Sequence, residues 1–335
     1  MRQIQIASPG GLGNLSLCEV DAPAPKPNEV VIKVAASSLN YHDLMVARGL
    51  IPTADRRVPL SDAAGEITEV GSDVSKWQVG DEVMSVCFPN WQSGPPRPEL
   101  LSFIGDHQDG YATEYIAISA TGITRIPKNL NLSEAATLPC AGLTAWRALV
   151  DEGNLKAGET VLVQGSGGVS VFALQIAKSF GARVIATSSS DEKLEKLHAL
   201  GADDLINYKE KPQWGKEVLA KTNNEGADHI IEVGGGGTFE ESVRAAKLGG
   251  HIALIGVLSG SAASEVILPR IFLKQIRISG IAMANQQSQI AFVKHVEEAG
   301  IEPMISDTFD LAKLADAFQH QIDNKHFGKI SITIG

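Results

Sequence analysis

Residues 159–170 read ETVLVQGSGGVS, and this stretch decides the fold. An apolar run is followed at once by glycines at 165, 167 and 168, and then by a segment of helical character that reaches Phe180. Gly165 permits a tight turn, and Gly167 lets the backbone approach a diphosphate because it has no Cβ. The N-terminus of the following helix offers unpaired N–H groups and a partial positive charge. The stretch therefore predicts a dinucleotide-binding turn.

The residues downstream support this interpretation because short apolar runs alternate with helical segments as far as residue 282. Such alternation is typical of a parallel sheet with right-handed crossovers, here a Rossmann doubly wound sheet. Asp191 is expected to cap one helix and Gly201 to end it. Flavodoxin-like and methyltransferase folds also contain glycine-rich turns between strand and helix, and they stay open as alternatives. The candidate strands are ARVIATS (182–188), DDLINY (203–208), ADHIIEVG (227–234), HIALIGV (251–257) and IRISGIA (276–282).

The first 141 residues have a different sequence pattern, with many short β-branched runs bounded by Pro, Gly and Asp. Candidate strands cover residues 29–39, 63–71 and 79–86, and a long loop is expected over residues 88–110. The last fifty or so residues return to a mixed pattern and end in the strand-like KISITI. The chain is therefore predicted to be an α/β protein with a β-rich domain and a Rossmann domain.

Composition and charge narrow the classes of partner and the compartment. The chain has 335 residues and a net charge of −10, without a long basic run, which disfavours nucleic acid and anionic membranes. It begins without a basic stretch followed by an apolar one, so no secretory signal is expected. Its three widely spaced cysteines fit a reducing compartment, and a cytoplasmic location is expected.

The end of the second predicted Rossmann strand bears on the choice of coenzyme. An NAD site is expected to place a carboxylate there for the ribose 2′-hydroxyl, but residues 187–190 read TSSS. Ser188 and Ser189 accept a 2′-phosphate without repulsion, while Lys193 and Tyr208 offer a charge and a hydrogen bond. We therefore expect NADP(H) to be preferred, with NAD(H) as the alternative.

Several further motifs occur in one order along the chain. They are Asn40-Tyr41-His42-Asp43, Pro59 to Gly65 with Glu66, Val79-Gly80-Asp81-Glu82-Val83, and Leu138 to Ala145. Together with the glycine turn they resemble the medium-chain dehydrogenase/reductase superfamily over essentially the whole chain. The likeness is greatest to its zinc-independent branch, near the quinone oxidoreductases and alcohol-dehydrogenase-like proteins.

This resemblance implies a GroES-like catalytic domain over 1–141, completed by 283–335, and a Rossmann coenzyme domain over 142–282, with the active site in the cleft. It also implies a homodimer formed through a strand in the apolar run Val266 to Ile281. The coenzyme contacts that the glycine turn and the resemblance together imply are Thr144, Gly165, Ser166, Gly167, Gly168, Val169, Val233, Gly234, Ile255, Gly256, Val257, Ile281, Ala282 and Met283, with Lys329 reaching a phosphate.

The resemblance also addresses the metal, because zinc-dependent relatives use a Cys, a His and a second Cys as ligands. At these positions the chain has Asn40, Ser61 and Cys140, with Asp62 in place of a neighbouring acid. One thiolate with an amide and a hydroxyl is a poor zinc site, so no catalytic metal is expected. The structural-zinc lobe is also expected to be absent, since its region contains only Cys87.

Without a metal, hydrogen-bond donors must stabilise the oxygen that gains charge during hydride transfer. The candidates are Asn40, Tyr41 and His42, with His42 as a proton donor, while Asp43 orients the loop or the coenzyme. Phe88 and Trp91 are expected to form an apolar wall of the substrate pocket, opposite Met283. The predicted function is reduction of carbonyl or conjugated carbonyl compounds; a zinc-type alcohol dehydrogenase and a non-catalytic NADPH sensor are the alternatives.

Overall fold

The computed structural model describes residues 1–262 and 268–335. The chain divides into two compact units, which are treated separately below. The first contains Met1–Leu143 and Met283–Gly335, and the second contains Thr144–Ala282. The sequence had placed the first boundary two residues earlier, between 141 and 142.

The strands of both units are numbered along the chain. They are β1 (Arg2–Ile6), β2 (Leu15–Glu19), β3 (Glu29–Ser38), β4 (Ala64–Val70), β5 (Glu82–Ser85), β6 (Tyr115–Ser119), β7 (Ile123–Arg125), β8 (Thr160–Gln164), β9 (Arg183–Ser188), β10 (Asp204–Asn207), β11 (Ala227–Glu232), β12 (Ala246–Leu254), β13 (Arg277–Gly280), β14 (Ile305–Asp310) and β15 (Lys329–Thr333).

The α-helices are numbered in the same way. They are α1 (Tyr41–Ala47), α2 (Leu132–Ala135), α3 (Leu143–Trp146), α4 (Gly168–Ser179), α5 (Asp191–Ala199), α6 (Trp214–Lys221), α7 (Phe239–Ala245), α8 (Leu268–Leu273), α9 (Gln286–Ala299) and α10 (Leu314–Ile322).

The second unit is built on a parallel sheet with strand order β10-β9-β8-β11-β12-β13. The order reverses between β8 and β11, which are neighbours at the centre of the sheet. Val161, Leu162 and Val163 of β8 are fully buried, and each such side chain contributes about 1.5–3 kcal/mol to folding. The predicted doubly wound Rossmann fold is confirmed, and its switch point lies at the carboxyl ends of β8 and β11.

The first unit is built on a second sheet, of order β14-β15-β3-β4-β5-β7, with β6 also paired to β3. Strand β15 runs antiparallel to β3, with Ser331 opposite Ser38. Residues near the end of the chain therefore lie beside the segment that joins β3 to α1. This arrangement confirms the predicted GroES-like domain and decides the surroundings of Lys329.

Two local predictions need correction. Helix α5 is capped by Ser190, whose side chain accepts a hydrogen bond from the Lys193 N–H, and Asp191 is the first helical residue. The apolar run from 266 to 281 is not one strand: Leu268–Leu273 is helical, and the edge strand β13 begins only at Arg277. Val266 lies outside the described residues. Within residues 1–262 and 268–335, no helix combines the length and the apolarity needed to cross a bilayer.

Candidate active site

The glycine turn follows β8 and opens α4, as predicted. Gly165 has a φ of 74°, a left-handed conformation that favours glycine. A Cβ added at Gly165 or Gly167 would meet no protein atom within 4 Å, so the space beside this backbone is open. Gly167 is the N-cap of α4 and makes no side-chain capping bond. The first N–H groups of α4 have no acceptor within the helix itself, and the diphosphate is expected to bind here.

Ser170 holds this turn against the end of β8. Its hydroxyl donates a hydrogen bond of 2.6 Å to the carbonyl oxygen of Gln164, and the residue is buried. Dinucleotide-binding turns commonly have a third glycine or alanine at this position, because a small side chain allows the helix to pack closely on the strand. The serine adds a direct hydrogen bond to that packing.

A buried carboxylate organises the neighbouring turn after β11. Glu232 Oε1 accepts hydrogen bonds of 2.8 Å from the N–H groups of Gly234 and Gly235 and one of 2.6 Å from the Thr238 hydroxyl. Its Oε2 accepts from Gln164 Nε2 at 2.8 Å and from the Ser242 hydroxyl. Because Gln164 directly precedes the glycine turn, one carboxylate ties together both loops of the switch point.

The other residues predicted to contact a coenzyme lie mostly after strand ends of the second unit. Val233 and Gly234 follow β11, Ile255 to Val257 follow β12, and Ile281 with Ala282 follow β13. Thr144 is buried within α3. The carboxyl ends of parallel strands are where ligands of open α/β sheets bind. Their contact with a coenzyme remains a prediction.

The corner after β9 contains Ser188 and Ser189, and the Ser188 carbonyl accepts a hydrogen bond of 3.0 Å from the Tyr208 N–H. Lys193 lies in the first turn of α5, where burial and then Lys196 lower its pKa. Asp191 accepts a hydrogen bond of 2.7 Å from Asn207 Nδ2. Its carboxylate is therefore already engaged with β10.

The first unit contains a buried polar cluster. It is formed by Asn40 after β3, by Ser61 and Asp62 in the loop before β4, and by Lys329 at the start of β15. Asn40 Nδ2 donates to Asp62 Oδ2 at 2.8 Å and to Ser61 Oγ at 3.3 Å. Lys329 Nζ lies 2.6 Å from Asn40 Oδ1, 2.7 Å from the Leu39 carbonyl oxygen and 3.5 Å from Asp62 Oδ2. Both N–H groups of the Asn40 amide therefore have partners within the cluster, and the Lys329 ammonium is buried beside it. The contact of Lys329 with a phosphate stays a prediction.

Asp43 adds a second buried carboxylate to this cluster. Its Oδ2 accepts a hydrogen bond of 3.0 Å from the Asn40 N–H, which fixes the start of α1. Burial, and next the charge of Asp62, raise the pKa of Asp43 to about 6. Burial also raises the pKa of Asp62, although Lys329 and Asn40 partly offset it. Asp43 is thus a structural member of the cluster that orients the loop.

Tyr41 and His42 occupy the first turn of α1. Tyr41 is 39% exposed, so its phenol is accessible as a donor. His42 Nε2 lies 2.9 Å from Asp106 Oδ2, and the imidazole ring contacts Phe103 edge-on with ring centroids 4.3 Å apart. His42 therefore contacts both a carboxylate and an aromatic surface.

The predicted aromatic wall is a packed cluster in this unit. Phe88 contacts Trp91 and Phe103, with ring centroids 6.1 and 5.3 Å apart. Cys87 and Cys140 belong to the same cluster, and Met283 packs against it. Met283 thus packs against the same cluster as Phe88 and Trp91 rather than opposite them, and their contact with a substrate stays a prediction.

Comparison with known proteins agrees with this geometry. Residues 26–128 match the family described as alcohol dehydrogenase GroES-like domain, and residues 168–298 match the zinc-binding dehydrogenase family. A zinc-type alcohol dehydrogenase-like protein of Schizosaccharomyces pombe is 38% identical over 333 residues, covering 97% of this chain and 96% of the relative. The chain belongs to the medium-chain dehydrogenase/reductase superfamily.

Two other members of the superfamily extend the comparison. An acryloyl-coenzyme A reductase of Metallosphaera sedula is 30% identical, covering 94% of this chain and 95% of the relative. The crystal structure of a putative alcohol dehydrogenase from Sinorhizobium meliloti 1021 has a TM-score of 0.93 and 36% identity, covering 99% of this chain and 98% of that one. As a member of the superfamily, the chain is an oxidoreductase of the dehydrogenase/reductase type.

The zinc implied by the family name was tested against the residues present. Asn40 and Ser61, at two of the three ligand positions, are a neutral amide and hydroxyl already engaged with each other, and this set does not fit zinc. A different set, Asp62, Cys87 and Cys140, places its ligand atoms within 4.8 Å of one another. Its Asp62 already pairs with Lys329. A hydrogen bond with Cys140, and then burial, raise the pKa of the Cys87 thiol.

Sequence reasoning missed Glu232 and Asp106. Glu232 is the last residue of the apolar strand β11, and four glycines begin two residues later, so an acid at a buried strand end was a usable signal. Asp106 sits in the loop over residues 88–110, where nothing in the local pattern indicates a partner. Its contact with His42 spans 64 residues and is visible only in the fold.

The first prediction concerns the pH dependence of stability. Because the pKa of Asp43 is raised from 3.8 to about 6, its protonated form stabilises the fold below about pH 4, and this contribution is lost as pH rises through 6. Asp43→Asn should remove this loss, so stability relative to the native chain should rise by about 3 kcal/mol between pH 4 and 7.5. Urea unfolding at several pH values measures it. The exposed Asp73→Asn serves as control, and equal behaviour of both variants would contradict the assignment.

The second prediction concerns Glu232. Glu232→Ala leaves the N–H groups of Gly234 and Gly235 without their acceptor, which costs about 1–3 kcal/mol and loosens the turn. The affinity for a nicotinamide coenzyme should fall about tenfold or more, as measured by fluorescence titration. Ser242→Ala, which removes one donor only, should have a smaller effect. Native affinity in a folded Glu232→Ala protein would show that the turn does not depend on this carboxylate.

Proposed function

We propose that the protein is a metal-independent, NADPH-dependent reductase of carbonyl or conjugated carbonyl compounds, such as quinones, enones and aldehydes. The observation that carries the proposal is the open glycine turn at the N-terminus of α4, set in a Rossmann sheet. The acryloyl-coenzyme A reductase among its relatives acts on a conjugated carbonyl by its name, which supports this substrate class. The aromatic cluster around Phe88 and Trp91 also favours apolar substrates.

The glycine turn and the adjoining strand ends would hold the coenzyme. Bound NADPH supplies a hydride for transfer to carbon. The N–H groups from Ser166 to Val169 would bind the diphosphate. Ser188, Ser189, Lys193 and Tyr208 would receive the 2′-phosphate, since hydroxyl groups accept it without repulsion and Lys193 offers a positive charge. The remaining contacts are assigned to Thr144, Val233, Gly234, Ile255, Gly256, Val257, Ile281 and Ala282.

The donors to the substrate oxygen are assigned to side chains whose N–H or O–H groups are not already bonded within the buried cluster. Asn40 spends both N–H groups on Ser61 and Asp62, so its role is to hold the cluster. Tyr41 and His42 remain as the donors that can stabilise charge on the oxygen. His42 would supply the proton, since histidine exchanges protons near neutral pH.

Metal independence is proposed on the chemistry of the donor set. An amide and a hydroxyl occupy two of the three positions, and the carboxylate of the alternative set is paired with a lysine. The alternative function, a zinc-type dehydrogenase, would use Asp62, Cys87 and Cys140. A reducing compartment, and with it the cytoplasm, is proposed because Cys18, Cys87 and Cys140 are all free.

The function is tested by NADPH oxidation with a panel of quinones, enals, aldehydes and acryloyl-coenzyme A. We expect turnover with at least one conjugated carbonyl, at an unchanged rate after chelation and with far less than one zinc per chain. The Cys87→Ser variant should bind no less metal than the native protein. Stoichiometric zinc lost on Cys87→Ser would support the zinc alternative, and tight NADPH binding without turnover of any substrate would support the sensor.

The coenzyme preference is tested at the corner after β9. Ser189→Asp places a carboxylate where the 2′-phosphate is proposed to bind, and repulsion between like charges should weaken NADPH binding at least about tenfold while sparing NADH. Equilibrium titration with both coenzymes measures the change. Ser72→Asp, on the exposed surface of the first unit, is the matched control. Equal affinity of the native protein for both coenzymes would refute the preference.

A homodimer is proposed from the surface around β13. This strand lies at the edge of its sheet, and Leu268, Phe272 and Leu273 of α8 are each more than 60% exposed. Light scattering at micromolar concentration should give twice the chain mass. Phe272→Glu should shift the protein towards monomer, whereas Leu17→Glu should not. A native protein that elutes as a monomer would exclude the dimer.

A further inference from the structure

His42 has a carboxylate partner that fixes which of its ring nitrogens is available. Its Nε2 lies 2.9 Å from Asp106 Oδ2, and the side chain of Asp106 is only 6% exposed. A carboxylate only accepts hydrogen bonds, so Nε2 must carry the hydrogen. The other ring nitrogen, Nδ1, is then the one left to face a substrate, and the His42 side chain is 32% exposed.

Asp106 is itself held from the opposite side. Its Oδ1 accepts hydrogen bonds from the backbone N–H and from Nδ1 of His107, whose side chain is 63% exposed. Burial tends to raise the pKa of Asp106, but the hydrogen bonds from His42 and His107 outweigh it and hold this pKa below its usual value. The carboxylate is therefore ionised at neutral pH, and both of its oxygens have fixed partners.

Among the residues that the structure describes, charged and titratable groups face this pair from α1 and from the loop. From α1 there is Asp43, whose buried carboxyl interacts with the His42 charge. From the loop there are Asp106 and His107. The remaining contact is apolar, since Phe103 touches the imidazole ring and packs on Phe88. The His42 ring thus contacts the Asp106 carboxylate and the Phe103 ring. These two contacts fix its orientation beside the wall proposed for the substrate pocket.

We propose that Asp106 is the positioning residue for His42, and that His42 protonates the substrate oxygen through Nδ1. In this step the Nδ1–H bond of the imidazolium breaks, its electron pair stays on Nδ1, and an O–H bond forms at the oxygen whose carbonyl has accepted the hydride. His42 is left neutral with its hydrogen on Nε2, where Asp106 accepts it. A proton from solvent restores the imidazolium. The inference rests on the reductase function proposed above.

In the pair of Asp106 and His42 a buried carboxylate is bonded to an imidazole. A carboxylate in this position orients a catalytic imidazole and stabilises its charged form. Loss of an orienting carboxylate selects the wrong tautomer and lowers turnover without weakening binding. A carboxylate that merely anchored the loop would have no such effect on the ring of His42. The same loop supplies a comparison: Asp109 anchors it through Arg57 and the Val58 N–H and makes no contact with His42.

The experiment combines nitrogen NMR of the histidine rings with kinetics. His42→Gln assigns the His42 signals. In the native protein the neutral His42 ring should carry its hydrogen on Nε2, and in Asp106→Ala this preference should be lost. The same variant should lower kcat about ten- to a hundredfold with little change in the KM for coenzyme, and alter the pH–rate profile. Asp106→Asn, whose amide N–H can donate to Nε2 and so favour the hydrogen on Nδ1, should also lose this preference, and it serves if the alanine variant does not fold.

The control and the contrary results are separable. Asp109→Ala should leave both the His42 tautomer and the pH–rate profile unchanged. An unchanged tautomer in Asp106→Ala and Asp106→Asn, or the same loss of turnover in Asp109→Ala, would overturn the role of Asp106. Absence of any NADPH-dependent turnover in the native protein would instead overturn the proposed function, while the tautomer measurement would still report on the pairing.

Discussion

The second unit depends on a glycine turn between β8 and α4 whose backbone N–H groups, from Ser166 to Val169, are proposed to bind the diphosphate of the coenzyme. Gly165 takes a conformation that favours glycine, and the space beside Gly167 is open. Hydrogen bonds from other parts of the second unit fix the position of this turn. Ser170 bonds the helix to the end of β8, and Glu232 joins β8 to the turn after β11. These hydrogen bonds fix the turn at which the diphosphate is proposed to bind.

The first unit meets a different constraint, the burial of charge. Two carboxylates, Asp43 and Asp62, share the interior with one ammonium, that of Lys329. Buried charges are stable only when their hydrogen bonds are satisfied, and Asn40 links all three of these groups. The N–H groups of the Asn40 side chain and the Lys329 ammonium donate within this cluster. Tyr41 and His42, in the first turn of α1, are therefore the side chains proposed to donate hydrogen bonds to the substrate oxygen.

The Rossmann sheet and the glycine turn could be predicted because their signals are local: strand and helix periodicity, and glycines at fixed spacing. The roles of Lys329 and Asp106 could not, because they depend on long-range register. Lys329 meets Asn40 across 289 positions only because β15 pairs with β3. The apolar run over residues 266–281 has no periodicity that separates a helix from a strand, and its described part, residues 268–281, contains both α8 and β13.

The location of a bound diphosphate tests the central claim most directly. In a crystal structure of the protein with NADPH, the diphosphate oxygens should lie about 3 Å from the backbone N–H groups of Ser166 to Val169, with the 2′-phosphate beside Ser188 and Ser189. A diphosphate bound elsewhere on the chain, with these amides facing only solvent, would contradict the account.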